Sequence, residues 1–205
     1  DRADAPAAVV RRADYRPPAW RLPRVALTVQ LFDDHAIVHS RLTIEPVAPA
    51  QGGPEPLVLD AVALQLLELR LDGHGLGDHD WSLNDGRLQV HNPPPQPFCL
   101  ETVVRLEPHT NTALEGLYVS GGLFTTQCEA EGFRRISPHP DRPDLLSRFR
   151  VRIEADQATC PVLLSNGNCV ESGALAPAPD REGADPSPRH YAVWHDPFPK
   201  HSYLF

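Results

Sequence analysis

The 205-residue sequence contains no methionine and no H-E-x-x-H motif, so the helix that presents two zinc-binding imidazoles and a catalytic glutamate is not encoded in it. Neither Ser165 nor Ser202 sits in a G-x-S-x-G elbow, and Cys128 has no recognisable His and Asp companions, which argues against a self-contained nucleophilic hydrolase. The glycine-rich stretch from Asp72 to Gly77 lacks the lysine and the strand-to-helix context of a phosphate cradle and reads as a turn. No apolar run approaches the roughly 18 residues that a membrane-crossing helix needs, so no membrane partner is expected. A secretory signal pattern is also missing at the start, which makes the cytoplasm the expected compartment.

Positive charge is scarce. Nineteen Lys and Arg stand against 27 Asp and Glu, a net charge of −8. Such a balance repels phosphate backbones and anionic lipid, so nucleic acid is not an expected partner. The four cysteines, Cys99, Cys128, Cys160 and Cys169, lack metal-finger spacing and are expected to be free and mostly buried thiols. If Asn166-Gly167 makes a two-residue hairpin, Leu164 faces Cys169 and Cys160 faces Gly173. The two cysteines are then offset by roughly 13 Å along the strand, beyond the separation of about 7 Å that a disulfide tolerates.

What the sequence does have is a period of two. Val25, Leu27, Val29 and Leu31 alternate with Ala26, Thr28 and Gln30; Val38, Ser40, Leu42 and Ile44 alternate with Ile37, His39, Arg41 and Thr43. The pattern returns at Leu67, Leu69 and Leu71, at Phe98, Leu100, Thr102, Val104 and Leu106, and at Phe149, Val151, Ile153 and Ala155 between charged neighbours. Asp33-Asp34, Asp72-Gly73, Asp85-Gly86 and Asn166-Gly167 supply turns. Twenty-three prolines disfavour long helices, and only Pro143 to Ser147 suggests a short helical turn. Loops are expected from Asn92 to Pro97 and from Pro177 to Pro188, and the final residues, His201 to Phe205, read like the beginning of a strand. The expected fold class is all-β: a large, twisted, mostly antiparallel, sandwich-like sheet domain over residues 18–205, preceded by an N-terminal arm at residues 1–17.

Gln127 and Glu129 carry the most interesting chemistry. Two positions apart on a strand, they would project from one face, with Cys128 pointing the other way. An amide oxygen and a carboxylate side by side suit an ammonium group, which has three donors and no acceptor, and hydrogen bonds to charged groups contribute about 1.5–3 kcal/mol each. The bland alternative is the solvated polar face of an ordinary strand. His35 and His39 share the i, i+4 spacing of zinc helices, but on a strand they would lie roughly 13 Å apart, so no metal site is expected from them or from the other histidines.

The stretches NTALEGLY (Asn111 to Tyr118), TQCEAEGFR (Thr126 to Arg134), DRPD (Asp141 to Asp144), SNGN (Ser165 to Asn168) and DPFPK (Asp196 to Lys200) are collinear with motifs of the bacterial aminopeptidase N family. Over Tyr15 to Phe205 the chain resembles the N-terminal domain of these zinc-dependent exopeptidases. The resemblance implies that Gln127 and Glu129 bind the free amine of a peptide substrate. It also implies that no catalytic residue or metal ligand lies in this chain, and that a downstream catalytic domain holds the zinc. The chain is then a fragment, inactive by itself, of an enzyme that removes the N-terminal residue of peptides. Ser137-Pro138-His139-Pro140 departs from the bulkier residues of the bacterial relatives. Relatives recruited as epoxide hydrolases tend to carry Gln where this chain has Glu129, which favours the aminopeptidase branch. The rival expectation is an independent β-sandwich module that binds peptides or proteins through strand edges or the 126–135 surface.

Overall fold

The computed structural model describes residues 11–47, 55–175 and 188–205. Among these residues thirteen strands form three sheets. The first two, β1 (Trp20–Leu31) and β2 (Ala36–Pro46), are joined through a tight turn at Asp33-Asp34, where the Phe32 amide donates to the His35 carbonyl at 2.9 Å. They lie at the centre of an eight-stranded sheet with β4 (Gln65–Leu71), β5 (His74–Gly75), β8 (Phe98–Leu106), β11 (Ser147–Asp156), β12 (Asn168–Ala174) and β13 (Arg189–Lys200). Its order is β12-β13-β11-β1-β2-β8-β4-β5. β1 and β11 run parallel, and the other neighbours are antiparallel. A three-stranded sheet contains β3 (Leu57–Asp60), β6 (Trp81–Asn84) and β7 (Arg87–Val90), and β9 (Gly116–Ser120) pairs with β10 (Leu123–Gln127) as a hairpin. Helical structure among the described residues is confined to 3-10 turns, so the all-β, mostly antiparallel expectation holds.

The alternating apolar residues form the core. Val25, Leu27, Val38, Leu42, Leu100, Val104, Phe149 and Val151 all lie on the covered face of the large sheet, in one cluster with Leu57, Leu59, Leu88 and Val90 of the small one. Stripping such a face from water is the main favourable term in folding, about 25 cal/mol per Å² of apolar surface. Asp72-Gly73 and Asp85-Gly86 both have positive φ at their two residues, the left-handed pair that a two-residue hairpin uses to match strand twist.

Several local expectations are corrected. Leu67 does not join Leu69 on the inner face: β4 is bulged between Leu66 and Glu68, and Leu67 is exposed. Pro143 to Ser147 is a plain turn, because Ser147 already begins β11 and donates its hydroxyl to the Leu22 carbonyl at 2.5 Å. Asn166-Gly167 closes no hairpin between 160–165 and 168–173. Residues 161–165 belong to no strand, β12 pairs with β13, and Gly167, at φ +88°, lies so close to β13 that a Cβ would fall 2.3 Å from the His195 carbonyl oxygen. Cys160 and Cys169 are free, as are Cys99 and Cys128, but Cys128 alone is fully buried, and Cys169 is exposed. The final residues form a 3-10 turn, Ser202–Leu204, with Phe205 packed on Phe133 and Phe149 at ring separations of 5.1 and 5.8 Å. Asn92 to Pro97 is a loop. Of the N-terminal arm, residues 11–17 carry a 3-10 turn, and Tyr15 donates its hydroxyl to Asp144 at 3.0 Å. Residues 1–10 of the arm and 177–187 of the second loop lie outside the described residues.

Candidate functional site

The hairpin β9–β10 turns at Gly121-Gly122, both at positive φ, and its register sets Gln127 opposite Gly116. β10 ends there. Cys128 is 2% exposed and anchors the chain in the core, after which residues 129–131 form a turn closed by the Gly132 amide on the Cys128 carbonyl at 2.8 Å. Gln127 and Glu129 therefore do not share a strand face. The cis peptide bond between Glu129 and Ala130 lies in this turn, and the Gln127 side-chain amide donates to the Glu129 carbonyl oxygen at 3.4 Å. The two residues are brought together nonetheless, both exposed at the end of one hairpin. Two glycines are required. A Cβ at Gly132 would stand 2.3 Å from the Gln127 carbonyl oxygen, and one at Gly116, φ +73°, would stand 2.6 Å from the Arg135 Cβ.

Behind the turn, Phe133 and Arg134 fix its position. Phe133 is fully buried against His139, Phe149 and Phe205. Arg134 uses both its backbone amide and its Nε to bond one Asp141 oxygen, each at 3.2 Å, and it approaches Asp60 at 3.6 Å and Glu131 at 3.3 Å. The other Asp141 oxygen accepts the Ser202 hydroxyl at 2.5 Å. Ser202, weighed above as a nucleophile, is thus a buried structural donor. Asp141 itself is 5% exposed, a buried charge satisfied by hydrogen bonds from two segments distant in sequence. The residue-level reading of the sequence missed this network. Its one trace there was the DRPD stretch, which begins with Asp141.

A cavity of about 190 Å³ opens beside the turn, lined by Glu129, Ala130, Glu131, Asp141, Pro143 and Tyr203. Asp141 and Glu131 are engaged by Arg134, whereas the Glu129 carboxylate has no hydrogen-bond or ion-pair partner among the described residues. The cavity wall therefore offers an uncompensated acceptor, which suits a cationic ligand group. Two ionisable side chains beneath, Cys128 and His139, are held neutral by burial. Burial, with Asp141 adding to it, pushes the Cys128 thiol up to about 12. Burial also pulls the His139 imidazole down to about 4, against the opposing effect of Asp141. Ser137 to Pro140 is buried throughout, and His139 pairs its backbone with Asp60 at 2.8 and 3.0 Å.

Among the described residues no three His, Cys, Asp or Glu side chains form a group able to hold a metal ion. His35 bonds Asp34 at 2.5 Å and His39 approaches Gln30 at 3.3 Å.

A β domain that fastens an acidic turn at the mouth of a cavity is one part of a larger class of proteins. Residues 83–204 match the Peptidase M1 N-terminal domain, and the chain belongs to that family. It is 45% identical to aminopeptidase N of Caulobacter vibrioides over 204 residues, spanning 100% of this chain and 22% of that protein. With Escherichia coli (strain K12) aminopeptidase N it shares 39% identity, over 95% of this chain and 20% of that one. The chain thus spans about a fifth of the length of these curated relatives. Among solved structures it resembles Legionella pneumophila aminopeptidase A in complex with aspartic acid, with a TM-score of 0.83 and 32% identity, covering 94% of this chain and 21% of that one. An M1 zinc metallopeptidase from Deinococcus radiodurans, at 16% identity and a TM-score of 0.63, covers 90% of this chain and 40% of its own, and shares the fold.

Proposed function

We propose that this chain is the substrate-amine-recognising domain of a cytoplasmic zinc aminopeptidase, an enzyme that hydrolyses the N-terminal residue from peptides. In this reading Gln127 and Glu129 accept hydrogen bonds from the substrate's ammonium group. The Gln127 amide nitrogen is already turned to the Glu129 carbonyl, which leaves its oxygen as the acceptor. In this reading the zinc and the hydrolytic step belong to a downstream catalytic domain that takes no metal ligand from this chain. The observation that carries the proposal is the unpartnered Glu129 carboxylate, displayed at a cavity on a turn that Asp141, Arg134 and Phe133 hold in place.

The test is kinetic. In the full-length enzyme Glu129→Ala is expected to lower kcat/KM for unblocked aminoacyl substrates about tenfold or more, at least about 1.4 kcal/mol of lost transition-state stabilisation. Unchanged kinetics would remove Glu129 from the site. One observation favours a second reading, an independent peptide-binding module: among the described residues β10 has β9 as its single strand partner, and so presents an open edge. Peptide binding that survives Glu129→Ala but is abolished by Thr126→Pro, which removes a β10 amide that faces away from β9, would support that module instead.

A further inference from the structure

The net charge of −8 conceals a local reversal on the outer face of the large sheet. Because Val25 and Leu27 point into the core, Arg24, Ala26 and Thr28 point out, and the register lines up their neighbours in rows. Arg24 stands beside Arg148 of β11 and Thr43 of β2; Ala26 stands between Arg150 of β11 and Arg41 of β2; His195 of β13 stands beyond Arg150. With strands about 4.8 Å apart, four guanidinium-bearing positions fall within roughly 12 Å of one another. They surround a cavity of about 400 Å³ lined by Arg24, Arg41, Arg148, Arg150, His195 and a floor that includes Ala26 and Thr43. A second cavity of about 250 Å³ shares Ala26, Arg41 and Arg150 and continues the groove toward Arg152.

Of these four charges, only that of Arg41 is paired within the protein among the described residues. Arg41 has Glu101 at 3.0 Å, and Arg148 donates to the Pro197 carbonyl at 2.9 Å, which leaves its charge unpaired. Arg24 and Arg150 have no hydrogen bond, ion pair or ring contact among the described residues. No Asp or Glu lines the first cavity, and Glu171 enters the lining at the second. Like charges side by side on adjacent strands destabilise a sheet, so three unpaired guanidiniums over a small-residue floor call for an anion supplied from outside.

We propose that this groove binds a compact condensed phosphate. Arginine forks match phosphate oxygens in a bidentate manner, and a dense polyanion needs nothing from the site but donors and charge. The surroundings disfavour larger polyanions. An acidic peptide would gain affinity by adding a strand, but β1, β2 and β11 are interior strands with both edges paired. A single-stranded nucleic acid would stack successive bases on broad aromatic faces, and the lining of this cavity opens no Phe, Tyr or Trp ring to solvent, since Phe149 is 2% exposed and faces the core and His195 supplies only a small imidazole.

The experiment is calorimetric titration of sodium tripolyphosphate into the full-length protein at about 50 mM and about 200 mM salt. Saturable binding that weakens with salt is expected, together with a loss of about tenfold or more in the Arg24→Ala/Arg150→Ala variant. These side chains have no polar partner among the described residues, so a thermal melt close to the parent's is expected. An Arg11→Ala/Arg12→Ala variant removes the same charge elsewhere on the exposed surface and is expected to bind like the parent. Absence of saturable binding at the lower salt would overturn the proposal, and so would an equal loss in both variants. Tighter, Arg24- and Arg150-dependent binding of a single-stranded oligonucleotide or of anionic phospholipid vesicles would also overturn it, by assigning the groove to another class of partner.

Discussion

At the scale of single residues, burial decides behaviour more than residue type does. His139 has its imidazole pulled from 6.5 down to about 4 by desolvation, while Asp141 partly opposes the shift. The folded state therefore resists a proton that the unfolded chain accepts. Stability from this residue is complete above the unfolded value and declines as pH falls from about 6.5 to about 4, by an amount on the order of 3 kcal/mol if the whole shift is realised. Urea unfolding across that window is the check, and His139→Leu is expected to flatten the dependence. The thiols make a second contrast. With Cys128 buried and its thiol pushed up to about 12, and Cys169 exposed, alkylation at about pH 8 followed by mass spectrometry is expected to label Cys169 and spare Cys128 until the protein is unfolded. Nothing in the sequence separated these two cysteines, because both sit in runs that alternate like strands.

At the scale of elements, the hairpin β9–β10 and the turn after it act as one unit, closed by glycines that leave no room for a side chain. Gly132→Ala would press a Cβ against the backbone at Gln127 and Cys128, at 2.3 and 2.8 Å, and neither atom can move without moving the turn. The expected outcome is an overpacking loss of about 1–3 kcal/mol in stability. A fall in kcat/KM comparable to that of Glu129→Ala should accompany it, read from denaturant melts and aminoacyl kinetics on the same preparation. Strand existence and inward faces were legible at this scale, since Val25 to Leu31 and Phe98 to Leu106 bury every second residue as their alternation implies. The bulge that turns Leu67 outward was not, because a bulge is set by the register of β4 against β8. The hairpin expected at Asn166-Gly167 failed for a related reason: Gly167 serves a close approach to β13, a contact made across the fold.

At the scale of the whole molecule, the chain spans about a fifth of its curated relatives, and the described residues contain no metal-holding group. If the proposed division of labour is right, the isolated 205-residue chain will neither bind zinc stoichiometrically nor cleave aminoacyl reporters, which metal analysis and a chromogenic assay can read directly. Robust activity of the isolated chain would contradict the proposal. The large sheet also has two faces with separate roles in these readings. Its covered face forms the core behind the turn at residues 128–132, and its open face collects the arginines of β1, β2 and β11.

The sequence alone determined the all-β class and most of the buried face, because period-two alternation is a local property of a chain. Tertiary structure decided the rest. It set Gln127 and Glu129 together around a turn and drew Asp141, Arg134 and Ser202 into one network. It also gathered Arg24, Arg41, Arg148 and Arg150 over Ala26. Each of these joins residues far apart in sequence, or turns the backbone out of a strand, and such proximity is created by strand order and register that no local pattern encodes.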